Sequence, residues 1–85
     1  MPTSTLITYV TPQILNPDDN GQDVKFLQQR LINRGYSVGP DGADGDFGPN
    51  TKEAVIKFQS DNNLQVDASV GPNTWHALGV YANVK

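Results

Sequence analysis

The sequence predicts an all-α fold: a small three-helix bundle whose helices are joined by long loops rich in glycine and aspartate. Two observations carry this. Apolar residues recur at helical spacing between positions 23 and 34, and the tetrapeptide Gly-Pro-Asn-Thr stands twice, at 48–51 and 71–74, each time where a loop gives way to a helical pattern.

The first helix is expected from about Asp23 to Arg34. Val24, Leu27 and Leu31 fall at i, i+3 and i+7, and Ile32 widens the stripe. Gly35 marks its end, because glycine takes the left-handed conformation that closes a helix, and Tyr36 follows to pack on the last turn. Asp18, Asp19 and Asp23 place negative charge at the positive end of the helix dipole. The second helix opens at Gly48-Pro49, since proline at the first helical position loses no useful N–H and brings a suitable φ. Thr51, Ala54, Val55 and Phe58 form its inner stripe, which fades at Asp61-Asn62-Asn63. The third repeats the device at Gly71-Pro72, carries Trp75 and Leu78 inward and stops at Gly79, about two turns long. Loops at 37–47 and 64–70 join them, and Val66 and Val70 are expected to form a short extended pair with neighbouring chain.

The two joints align at an offset of 23: Asp44 with Asp67, Phe47 with Val70, Gly48–Thr51 with Gly71–Thr74, and Ala54 with Ala77. Each reads as a loop-to-helix cassette, an apolar anchor followed by a permissive glycine and a proline. A second echo, VKFLQ at 24–28 and VIKFQ at 55–59, sets Gln28 and Gln59 on the flank of a buried stripe. A half-buried amide must find partners, most simply loop backbone.

With 85 residues, of which 36% are hydrophobic, the chain supports one modest core. Net charge is -3 and the six Lys and Arg are scattered, so no basic stripe exists to displace counterions from a nucleic acid. Cysteine is absent, which excludes disulfides, thiolate zinc sites and thiol catalysis. No apolar run approaches the roughly 20 residues of a membrane span, and Met1 to Val10 lacks the pattern of a signal peptide.

The run from Asp23 to Gly79 resembles the three-helix peptidoglycan-binding domain found beside the catalytic domains of bacterial and phage wall hydrolases. The resemblance rests on the order of Val24-x-x-Leu27-Gln28-x-x-Leu31, Gly35-Tyr36, Asp44-Gly45-x-Phe47-Gly48-Pro49-x-Thr51, Ala54-Val55-x-x-Phe58-Gln59, Val66-Asp67, Val70-Gly71-Pro72-x-Thr74-Trp75 and Leu78. Two departures stand out. Asn16–Gly21 replaces the short glycine-rich turn that usually precedes the first helix, and Asp67-Ala68 puts alanine where the second joint usually has glycine. Similar domains occur in matrix metalloproteinase propeptides, whose inhibitory segment needs a cysteine this chain lacks.

Catalytic groups are scarce. His76 is the only histidine, too little for a zinc site or a convincing triad, and Glu53 lies outside the apolar stripe. The DGADGDFG loop fails as an EF-hand in either register, so Asp41, Asp44 and Asp46 are expected to shape the turn by accepting from backbone N–H groups. The chain is therefore expected not to be an enzyme, and no cofactor or metal is expected.

The resemblance implies a function: non-catalytic binding of peptidoglycan, outside the cytoplasm, by a monomeric module of residues 14–80 with an N-terminal extension (1–13) and a short tail (81–85), linked to or partnered with a wall-degrading enzyme. The alternative is a structural or protein-docking domain that keeps the fold without wall affinity. The expected ligand surface is the first joint and its acidic loop: Tyr36, Asp44, Asp46, Phe47, Asn50 and Thr51, with Arg34 supplying a positive charge. Last, Phe26 lies about 200° around the helix from Val24, and part of residues 1–15 is expected to fold back over it.

Overall fold

The computed structural model describes residues 13–80, and within them the chain forms three helices: α1, Gln22–Asn33; α2, Pro49–Asp61; and α3, Pro72–Ala77. All three begin on a glycine, Gly21, Gly48 and Gly71, and in α2 and α3 proline follows in the first turn. They also end alike. After α1 the Tyr36 N–H reaches back to the Leu31 carbonyl and the Gly35 N–H to that of Ile32. After α2 the same pair runs from Leu64 to Gln59 and from Asn63 to Ser60, and after α3 from Val80 to Trp75 and from Gly79 to His76. This closure needs a left-handed residue, supplied by Gly35, Asn63 and Gly79.

Val24, Leu27 and Leu31 of α1, Ala54, Val55 and Phe58 of α2, and Trp75 and Leu78 make the core, completed by loop residues Leu15, Val38, Phe47 and Val70. Ile32 does not join them. It is 43% exposed, because the position beside Leu31 falls on the flank beyond Gln28, which holds the buried place.

The segment before α1 ties the joints together. Leu15 pairs antiparallel with Val70, and Asn20 with Asp46, while the Gln13 carbonyl accepts from Trp75 Nε1 at 2.9 Å. Val70 thus finds its extended partner in Leu15, and Val66, half exposed, pairs with nothing described. Phe26 is 42% exposed and stacks on Trp75, ring centroids 5.8 Å apart. The residues expected to cover it fall mostly outside the described range. No helix among the described residues is long and apolar enough to cross a membrane.

Candidate functional site

Each joint is gripped by a glutamine from the preceding helix. Gln28 Nε2 donates to Asp44 Oδ1 (3.1 Å), the Asp46 carbonyl (2.9 Å) and Thr51 Oγ1 (2.9 Å), and Gln28 Oε1 accepts from the Gly45 N–H (2.8 Å). Gln59 repeats the pattern: Nε2 donates to Asp67 Oδ1 (3.0 Å), the Ser69 carbonyl (2.8 Å) and Thr74 Oγ1 (3.2 Å), and Oε1 accepts from the N–H groups of Asp67 and Ala68. Both glutamines are fully buried. The sequence echo is therefore one structural device used twice, the aspartate following its glutamine by 16 positions in the first copy and by 8 in the second. Ala68 takes φ 63, equivalent to Gly45 at φ 86, so the second turn forms despite an alanine in the left-handed region, at a cost of about 1–2 kcal/mol.

The extra length of the first loop produces the surface difference between the joints. Residues 35–39 lie beside the outward face of α2 and leave a groove of about 470 Å³ lined by Gly35, Tyr36, Ser37, Gly39, Asn50, Glu53, Ala54 and Lys57. A smaller groove, about 140 Å³, lies among Asp41, Asp44, Asp46, Gly48 and Pro49, and Asn50 borders both. Only the larger falls in the range of about 300–1,000 Å³ common for ligand sites. Asn50 rests over Gly39 so closely that a Cβ there would stand 2.9 Å from Asn50 Cβ. Tyr36 is fixed on two sides: its ring meets Phe58 edge-on, centroids 5.5 Å apart, and its hydroxyl donates to Asp61 Oδ2 at 2.6 Å. That bond holds the phenol above its ordinary pKa, helped by partial burial and the Asp61 charge.

The expected site residues divide accordingly. Tyr36 and Asn50 meet in the larger groove, and Asp44 and Asp46 are exposed around the smaller one. The Asp44 carboxylate is held below the usual range, first by the Asp46 N–H (3.0 Å) and then by Gln28, the turn-shaping role expected of it. Phe47 and Thr51 are corrections. At 1% and 2% exposure they offer a ligand no surface, one as a core anchor and the other as acceptor for Gln28. Arg34 also stands elsewhere, at the C-terminal end of α3. Its Nη2 is 3.1 Å from where a Gly79 Cβ would lie, next to Arg30, which donates to the Leu78 carbonyl at 3.0 Å. Sequence reasoning missed Ser37, Glu53 and Lys57, since periodicity marks a helix face as outward without saying which loop lies beside it. Among the described residues no group of three or more His, Cys, Asp or Glu is placed to hold a metal ion.

Three short helices, glutamine-clamped joints and a polar groove beside the first joint define a small helical binding module. The comparisons place it more narrowly. Residues 20–78 match the putative peptidoglycan binding domain family, and the chain belongs to that family. A probable N-acetylmuramoyl-L-alanine amidase of Bacillus licheniformis is 40% identical over 65 residues, covering 76% of this chain and 18% of the amidase. Among solved structures, the N-terminal domain of SleB superposes with a TM-score of 0.75 at 34% identity, over 84% of this chain and 94% of that one. A peptidoglycan-binding protein from Clostridioides difficile, solved with glutamine hydroxamate, gives 0.76 at 37% identity, over 84% and 43%. The chain spans 18% to 54% of the length of the first curated relatives it matches.

Proposed function

We propose that this chain is a non-catalytic module that binds peptidoglycan and holds a linked or partner wall-degrading enzyme at its substrate, outside the cytoplasm. The observation that carries this reading is the family match over residues 20–78, set beside the groove that the long first loop creates. Tethering raises the local substrate concentration seen by an attached enzyme without any new catalytic group. The first joint is the contact surface in this reading: Tyr36 and Asn50 in the larger groove, with Asp44 and Asp46 at its neighbour. In this reading the module acts as a monomer and contacts the wall through its stem peptides, its glycan strands or both.

Co-sedimentation with purified insoluble peptidoglycan tests the binding, and zymography on the same polymer tests for hydrolysis by the chain itself. The expected result is retention in the pellet with no cleared zone. A soluble chain that ignores the polymer would instead favour a structural or protein-docking role, and a cleared zone would make the chain an enzyme.

A further inference from the structure

Glu53 and Lys57 stand one turn apart on α2, and both line the larger groove. Glutamate four residues before lysine on an exposed helix is the usual arrangement of a solvated ion pair. Here neither side chain makes an ion pair or hydrogen bond to a described residue. The facing wall is also unsatisfied. On that wall the backbone of Ser37 makes no hydrogen bond to any described residue, although the neighbouring lining residues Tyr36 and Gly39 are both engaged. A charged helical wall and the unpaired backbone of Ser37 thus border one groove.

We propose that this groove seats a stem peptide that has not been cross-linked, its free side-chain ammonium on Glu53 and its terminal carboxylate on Lys57, with its backbone beside Ser37. This rests on the peptidoglycan-binding reading above. The two charges select the occupant. A simple anion would face Glu53 and a simple cation would face Lys57, whereas a ligand carrying both signs satisfies each. The unpaired N–H and C=O of Ser37 are groups that a peptide backbone can satisfy and a free ion pair cannot. A glycan, bearing hydroxyl and acetamide groups, would use neither charge, and the single aromatic lining residue, Tyr36, has its hydroxyl committed to Asp61. Cross-linking acylates the side-chain amine and removes the ammonium, so the groove distinguishes free stems from cross-linked ones.

The test uses Nα-acetyl-L-lysyl-D-alanine, which carries one free ammonium and one carboxylate, followed by amide shifts of the labelled protein. Two blocked forms, the Nε-acetylated peptide and the C-terminal amide, remove one charge each. Shifts are expected at Ser37, Asn50, Glu53 and Lys57, and each blocked form should bind about fivefold more weakly, the upper range for an exposed charge pair. E53Q should abolish discrimination against the acetylated peptide, and K57Q discrimination against the amide. Equal binding of free and blocked peptides, or shifts confined to other surfaces, overturns the proposal. Both variants change exposed side chains, so folding is checked by their thermal melts. Co-sedimentation separates the two readings: retention of wild type, E53Q and K57Q alike on lightly cross-linked peptidoglycan defeats the groove assignment and leaves wall binding standing, while no retention of wild type defeats wall binding itself.

Discussion

Replacing Gln28 by leucine keeps the side-chain volume and removes the clamp on the first joint. Four hydrogen bonds disappear. Asp44 keeps its bond from the Asp46 N–H and lies near solvent, so the damage concentrates on the two buried partners, the Gly45 N–H and Thr51 Oγ1. Each stranded buried group costs about 1–3 kcal/mol. Leucine's own burial returns part of this, leaving an expected loss of about 2–4 kcal/mol, against a total stability of about 4–13 kcal/mol for 85 residues. T51V is the internal control. Gln28 Nε2 has two hydrogens and three acceptors within 3.1 Å, so losing the Thr51 hydroxyl leaves two acceptors, and the cost should stay below about 1 kcal/mol. Urea denaturation followed by circular dichroism reads both. Because the second joint repeats the network, Q59L should match Q28L within about 1 kcal/mol. Loss of under 1 kcal/mol in Q28L, or an equal loss in T51V, would refute the clamp.

Gly45 at φ 86, with the Gly21 carbonyl 3.3 Å from where its Cβ would lie, predicts that G45A lowers the urea stability by about 1–2 kcal/mol. F26A should cost about 1 kcal/mol through the lost stack and should change the fluorescence of Trp75, the chain's one tryptophan. A depressed carboxyl stabilises the fold above its unfolded pKa, about 4, and that contribution is lost as pH falls through the lower folded value. The D44N melt should therefore sit below wild type at neutral pH and converge with it in acid. For Tyr36 the sign is opposite: its raised pKa adds stability below about pH 10 that is lost at higher pH, so D61N should return the Tyr36 titration, followed by ¹³C-labelled tyrosine, toward its ordinary value.

Helix starts and stops were legible because they depend on local chemistry. Gly-Pro pairs open α2 and α3, and Gly35, Asn63 and Gly79 occupy left-handed closures that few other residues adopt cheaply. The glutamines were legible as polar residues forced into a stripe, and their loop partners were the simplest available. What needed coordinates depends on elements distant in sequence. The guanidinium of Arg34 lies by Gly79 because α3 ends there, and no periodicity in α1 reports it. A single bridge such as Leu15 with Val70 carries no repeating pattern. Glu53 and Lys57 look like any solvated pair until residues 35–39 are placed beside them.

The most direct measurement is a binding isotherm of the chain on purified insoluble peptidoglycan, with the double variant E53Q/K57Q beside it. Saturable retention of wild type is expected, weakened in the variant and by salt, which screens exposed charges. A wild-type chain that remains in the supernatant at every polymer concentration would contradict it.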